Sequence, residues 1–204
     1  MHIAIAKETA EFEKRVALTP DLVKRLCDGG HTITVEKGAG VEAGFLDDSY
    51  KVSGAAIAKN FAEAVSEAQI VLKVGPISEK QIESLQKNSV LIGMQKVFEN
   101  QSLFKKVNKS KVTAFALEFV PRTTRAQSMD VLSSQSNLAG YRAVIEGSYE
   151  FDRALPLMMT AAGTVTAARV LVMGAGVAGL QAIATARRLG AIVSAFDVDR
   201  KSVV

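Results

Sequence analysis

Short apolar runs recur along the chain at 3–6, 32–36, 70–74, 90–93 and 112–116, each too short for a helix. Between them, at 20–27, 47–53, 61–67, 79–86 and 101–107, apolar residues return at helical spacing. The first pattern is that of buried strands and the second that of amphipathic helices. Their alternation predicts a mostly parallel sheet covered by helices. Thr19-Pro20 reads as a helix N-cap followed by proline at the first helical position, and Gly29-Gly30 ends that helix.

Residues 117–136 break this rhythm. Glu118-Phe119-Val120-Pro121-Arg122 leads into a polar stretch that reaches Ser136. A polar loop of that length inside a compact domain is uncommon and often functional. A helix is predicted over 137–151, where Leu138, Tyr141, Val144, Ile145 and Tyr149 recur at helical spacing. Beyond it, 169–173 reads as a buried strand, 174–179 as a turn, 180–189 as a helix stopped by Gly190, and 192–196 as a strand ending at Asp197. The expected organisation is an α/β domain over 1–136, a linking helix over 137–151, and the beginning of a dinucleotide-binding domain over 152–204.

Composition excludes several classes. With 48% hydrophobic and 23% charged residues the chain is globular rather than disordered. The net charge is +4, but the basic residues are spread out, and clusters such as Lys105-Lys106 lack interleaved aromatics. No nucleic acid is therefore expected as a partner. The single cysteine, Cys27, leaves no intrachain disulfide framework, and within its apolar rhythm it reads as core rather than nucleophile. The opening apolar run gives way at once to Lys7-Glu8, unlike a secretory signal. The most apolar region, 154–186, is interrupted by Arg169 and crowded by Gly163, Gly174, Gly176 and Gly179. A membrane helix needs about 20 mostly apolar residues, so no direct membrane span is expected, and the chain should lie on the cytosolic or matrix side.

The turn Gly174-Ala175-Gly176-Val177-Ala178-Gly179 has G-x-G-x-x-G spacing, which is weak evidence alone. Here it follows a predicted strand, opens a predicted helix, and is followed by an acid at the end of the next strand, as the dinucleotide fingerprint requires. Gly174 permits the tight turn, Gly176 lets the backbone approach a pyrophosphate, and Gly179 allows close helix–strand packing. The helix N-terminus offers N–H groups to phosphates. Asp197, 23 residues after Gly174, suits the ribose hydroxyls and would repel a 2′-phosphate, which favours NAD over NADP. Asp199 is the alternative acid, and a glycine-rich turn without a ligand is the competing reading. Such a fold is built from two strand–helix–strand halves, and only seven residues follow Asp197. The chain is thus expected to be a fragment, or to be completed by a second polypeptide.

Three stretches carry a family resemblance. Lys7-Glu8 with Arg15-Val16-Ala17-Leu18-Thr19-Pro20 resembles the opening signature shared by alanine dehydrogenases and transhydrogenase alpha chains. The stretch from Leu171 to Asp197 resembles their shared NAD-binding signature. The run from Pro121 to Ser133, continuing through Val144, is similar to the mobile arginine–glutamine–aspartate loop of proton-translocating NAD(P) transhydrogenase. The resemblance implies an α/β fold of two Rossmann-like domains with mostly parallel sheets, the second only partly present. It implies that Arg122, Gln127 and Asp130 act where hydride passes, and that with Ser133 they hold bound NAD(H). The glycine turn (Gly174, Ala175, Gly176, Val177, Ala178, Gly179) and Asp197 would complete the cofactor-binding set. Implied too are NADP(H) on a partner domain, a homodimer, partner subunits carrying the membrane and NADP-binding parts, coupling to proton translocation, and a cytoplasmic place at the inner membrane. Hydride transfer needs no acid or base from the protein, whose task is positioning.

Two other functions stay open at this point. In alanine dehydrogenases, positions matching Arg15 and Lys73 hold a substrate carboxylate and act near the reacting carbon, and a histidine follows the strand near 90–95. This chain reads Ile92-Gly93-Met94-Gln95-Lys96 there, and its only histidines are His2 and His31. The third reading is a non-catalytic module whose nucleotide site is incomplete.

Overall fold

The computed structural model describes residues 1–199. They form two compact units, one spanning Met1–Met129 and one beginning at Asp130. Residues 200–204, included in the expected second domain, lie outside the described residues.

The first unit alternates strand and helix as the hydrophobic pattern requires. Its elements in order are β1 (His2–Ile5), α1 (Pro20–Asp28), β2 (Thr32–Glu36), α2 (Asp47–Val52), β3 (Ala56–Ala58), α3 (Phe61–Val65) and β4 (Ile70–Leu72). Then come α4 (Glu79–Ile82), β5 (Val90–Gly93), α5 (Gln101–Lys109) and β6 (Thr113–Ala116). All six strands pair in parallel, in the order β3-β2-β1-β4-β5-β6. That is a doubly wound, Rossmann-like sheet whose order reverses between β1 and β4. Alternate residues of β1 and the Ala6 that follows it feed two cores: Ile3 and Ile5 pack with Val23, Ile33, Val35 and Tyr50, while Ala4 and Ala6 pack with Val65, Val71, Leu91 and Val107. This is the burial expected of a strand covered on both sides.

Local details differ from the sequence expectation in physically legible ways. Thr19 has the extended backbone of an N-cap, but its hydroxyl makes no cap bond, so Pro20 alone sets the start of α1. Strand β3, with two alanines among three residues, carried too little apolar signal to be read. Cys27 is half-buried against the core beside Gly54, and burial, then Asp28, pushes its thiol pKa up.

The stretch 117–136 is not one long loop. Short 3-10 turns occupy Leu117–Phe119 and Thr124–Met129, and helix α6 (Val131–Glu150) starts six residues before 137. The run Ser133-Ser134-Gln135-Ser136-Asn137 hid this, because α6 has little apolar face to show: of its residues only Gly140 is buried. Leu138, Tyr141 and Tyr149, whose helical spacing predicted the helix, are exposed.

After α6 the second unit forms an unanticipated antiparallel hairpin, β7 (Met158–Thr160) with β8 (Gly163–Val165). Strand β9 (Arg169–Met173), helix α7 (Val177–Arg188) and strand β10 (Ile192–Phe196) follow, with β9 and β10 paired in parallel. Helix α7 packs against α6 so closely at Gly140 that a Cβ there would lie 2.0 Å from the Ala178 carbonyl oxygen. Among the described residues no helix is long and apolar enough to cross a membrane.

Candidate functional site

The glycine turn joins β9 to α7, and each glycine answers a different steric demand. Gly174 has φ +99, a left-handed conformation that side chains rarely adopt. A Cβ on Gly179 would sit 1.7 Å from the Gly174 carbonyl oxygen, so the first turn of α7 closes directly onto the start of the loop. A Cβ on Gly176 would meet nothing within 4 Å, so the space before that backbone is open. Gly176 is the N-cap of α7, and its carbonyl accepts the first helical bond, from Leu180 N at 2.8 Å. The N–H groups of the first turn, Val177 to Gly179, precede any intrahelical acceptor and carry the positive end of the helix dipole. Open space before such N–H groups suits a phosphate, and the residues present fit a dinucleotide there.

Asp197 lies one residue past β10, beside this loop. Its Oδ2 accepts the Ala175 N–H at 2.6 Å and its Oδ1 accepts the Asp199 N–H at 2.8 Å. These backbone donors, Asp199 first and then Ala175, hold the carboxyl below the usual aspartate range. The side chain is half-buried and ionised at neutral pH, with remaining lone pairs to offer a hydroxyl. Asp199, the alternative acid, is the residue whose backbone braces Asp197.

Asp130 and Ser133 engage each other. Asp130 is the N-cap of α6: Oδ1 accepts the Ser133 N–H at 3.0 Å and Oδ2 accepts the Ser133 hydroxyl at 2.6 Å. This is the ordinary geometry of an aspartate cap, and it holds both side chains at the start of the helix. Arg122 and Gln127 belong to the first unit, where both are exposed on the same stretch, with Ala126 between them as its buried anchor.

A carboxylate that the sequence did not single out stands behind that stretch. Glu118 accepts the N–H of Gln95 at 2.9 Å through Oε2 and that of Val97 at 3.2 Å through Oε1. No local pattern marks it, because both donors follow a different strand.

Lys73 and Arg15, weighed for carboxylate chemistry, are both engaged inside the chain. Lys73 Nζ lies 3.2 Å from Glu8 Oε2 with both side chains almost fully buried. Glu8 also accepts the N–H groups of Val74 at 2.7 Å and Gly75 at 3.3 Å, as a buried ion pair requires. The pair lies past the carboxyl ends of the neighbouring strands β1 and β4, the end at which open α/β sheets take their ligands. Arg15 binds Glu13 through Nε at 2.8 Å and Nη2 at 2.6 Å, a contact that lowers the Glu13 pKa. In the run Ile92–Lys96, which holds no histidine, Gln95 is fully buried.

Residues 4–139 match the alanine dehydrogenase/PNT N-terminal domain, and residues 143–203 match the C-terminal domain of the same family. The first part of NAD(P) transhydrogenase subunit alpha from Rhodospirillum rubrum is 53% identical over 203 residues, a match covering 97% of this chain and 53% of that protein. Alanine dehydrogenase 1 of Staphylococcus aureus (strain Mu50) is 34% identical over 149 residues, covering 73% of this chain and 39% of that protein. The crystal structure of transhydrogenase from Sinorhizobium meliloti superposes with a TM-score of 0.94 at 49% identity, covering 99% of this chain and 60% of that one. The chain thus spans about half the length of the transhydrogenase alpha chain from R. rubrum, and it is more similar to that chain than to the alanine dehydrogenase. By the two domain matches, which together take in most of its length, the chain belongs to the alanine dehydrogenase/PNT family.

Proposed function

We propose that the chain is the NAD(H)-binding component of an NAD(P) transhydrogenase, in which hydride passes between NADH and NADP⁺ held on a separate domain. The observation that carries this reading is the loop Gly174–Gly179 opening α7, with the ionised Asp197 bonded to its Ala175 N–H. The nicotinamide would supply the hydride chemistry. The protein's own groups then bind and orient. N–H groups of Val177 and Ala178 face the pyrophosphate, Gly176 leaves room for it, and Asp197 accepts from the ribose hydroxyls and disfavours a 2′-phosphate. Arg122, Gln127, Asp130 and Ser133 hold the reactive end and keep water from it, with the first three nearest the transfer step.

In this reading the working protein is a homodimer. It associates with partners bearing the NADP(H)-binding and membrane parts, couples to proton translocation, and lies on the cytoplasmic side of the inner membrane through those partners. The resemblance of 121–144 to the transhydrogenase loop supports this over amino-acid dehydrogenation. Engagement of Lys73 by Glu8 and of Arg15 by Glu13 points the same way.

Calorimetric titration of the full-length protein with NADH and with NADPH tests the reading. NADH should bind, and NADPH should bind much more weakly. No NADH binding, or equal affinity for both, overturns it.

A further inference from the structure

The exposed stretch 121–129 begins directly after the turn Leu117–Phe119 that follows β6. That turn is tied to the loop after β5 in two independent ways. The Glu118 carboxylate accepts from the N–H groups of Gln95 and Val97, on either side of Lys96, which has the left-handed φ of 49. The rings of Phe98 and Phe119 meet edge to face with centroids 5.4 Å apart.

The loop that receives these contacts is itself held from behind. Gln95 is fully buried, and its Oε1 accepts the Ile77 N–H at 3.3 Å. Asn100 Nδ2 donates to the carbonyls of Gln95 and Lys96, each at 3.2 Å. One network therefore links the chain beyond β4, β5 and β6 at the carboxyl ends of the strands, the end at which open α/β sheets bind ligands. Hydrogen bonds from backbone N–H groups to a carboxylate are among the stronger ones a protein makes.

We propose that Glu118 is a positioning residue for Arg122 and Gln127. Its carboxylate clamps the turn after β6 to the loop after β5, so that the stretch bearing Arg122 and Gln127 leaves the sheet from a fixed base. This rests on the transhydrogenase reading above and adds to it the residue that sets where the loop starts. An exposed loop that must place an arginine and an amide within a fraction of an ångström needs such a footing, because small misplacements of reacting groups are costly.

The test uses Glu118→Ala and Glu118→Gln in the full-length protein assembled with its NADP(H)-binding partner. Four quantities are read: amide hydrogen exchange at Gln95 and Val97, the NADH dissociation constant, the single-turnover rate of hydride transfer to NADP⁺, and the melting temperature. Glu118→Ala should speed exchange at both amides by at least about tenfold. It should slow hydride transfer by about 100-fold while changing NADH affinity by less than about threefold. Glu118→Gln keeps an acceptor oxygen and the side-chain shape, and should recover part of both the protection and the rate. Faster amide exchange with an unchanged transfer rate overturns the proposal. So does a parallel loss of rate, affinity and melting temperature in both variants, which would mark general destabilisation. Absence of NADH binding by the unsubstituted protein is seen first and overturns the functional reading itself.

Discussion

Asp197 Oδ2 accepts the Ala175 N–H at 2.6 Å, so the acid at the end of β10 is fastened to the glycine turn that follows β9. The bond commits one N–H of the turn to the protein and leaves those of the first turn of α7 to face outward. It also fixes the carboxylate beside the loop, where ribose hydroxyls and any 2′-phosphate would have to pass. A single side chain thereby braces the glycine turn and, in the function proposed above, would carry the charge that chooses between cofactors.

Replacing Asp197 separates those roles. Asp197→Ala should weaken NADH binding by about tenfold or more, as expected for loss of hydrogen bonds to a charged group. NADPH should be rejected less. Since backbone N–H groups hold this carboxyl below the usual aspartate range, its charge is present at neutral pH and is lost only as pH falls through that depressed value. From about pH 8 down to about pH 5 the carboxylate therefore contributes no pH dependence of its own, and any change of preference there follows the 2′-phosphate, whose second ionisation lies near about 6. Calorimetry with both nucleotides across that range is the measurement, and an unchanged preference in Asp197→Ala would remove Asp197 from the ribose role.

Helix α6 provides a paired test of packing. A glycine inside a helix costs about 1 kcal/mol relative to alanine, so Gly→Ala there normally stabilises. At Gly147 an added Cβ meets nothing within 4 Å, and Gly147→Ala should raise the melting temperature. At Gly140 it would meet the Ala178 carbonyl oxygen at 2.0 Å, and Gly140→Ala should destabilise by about 1–3 kcal/mol as the helices are forced apart. Thermal melts of the two variants should move in opposite directions, and a shared stabilisation would contradict the close approach of α6 and α7.

Tyr50 gives the first unit an alkaline limit. Its ring is fully buried, its hydroxyl donates to the Leu18 carbonyl at 2.9 Å, and burial, with Asp47 adding to it, pushes its pKa up to about 12. In the unfolded chain a tyrosine titrates near about 10. Between those values the unfolded state releases a proton that the folded state keeps, so stability should fall as pH rises through this window and be complete below it. Tyr50→Phe should cost about 1–2 kcal/mol at neutral pH by leaving the carbonyl unsatisfied. It should also lack the wild-type alkaline slope, and urea melts at pH 8 and pH 11 giving parallel slopes for both proteins would refute the assignment.

How far the sequence reached follows from the range of each constraint. The turn from Gly174 to Gly179 was legible because its demands are local: a left-handed φ at Gly174 and a missing Cβ at Gly179 are written in the residues themselves. The parallel sheet was legible because β1, β2, β4, β5 and β6 are short apolar runs between helical patterns. The start of α6 could have been found from Asp130, a good N-cap residue three places before Ser133, had the serines after it not masked the helical period. The clamp of Glu118 on Gln95 and Val97, and the pairing of Lys73 with Glu8, were beyond reach. Each depends on which strands lie side by side, and strand order leaves no local mark. The hairpin of Met158–Thr160 with Gly163–Val165 was hidden for another reason, since both of its strands are exposed along their length and lack the alternation that marks a half-buried strand.

Gln127 tests whether the loop positions or merely binds. Its side chain is exposed, next to the buried Ala126 that anchors the 3-10 turn Thr124–Met129. Gln127→Asn keeps the amide and shortens its reach by one methylene, so the backbone anchor and the chemistry of the group both survive. If the amide orients the reactive end of the nucleotide, displacing it by about 1 Å should slow hydride transfer by about 100-fold, because near-attack geometry is lost while the remaining contacts persist. NADH affinity should change far less, since the pyrophosphate and ribose contacts lie elsewhere. Single-turnover transfer rates beside calorimetric dissociation constants, in the full-length protein with its NADP(H)-binding partner, separate the two. Equal losses in rate and affinity would mean that the amide contributes uniform binding, and Gln127 would then belong with Asp197 as a residue that holds the cofactor without aiming it.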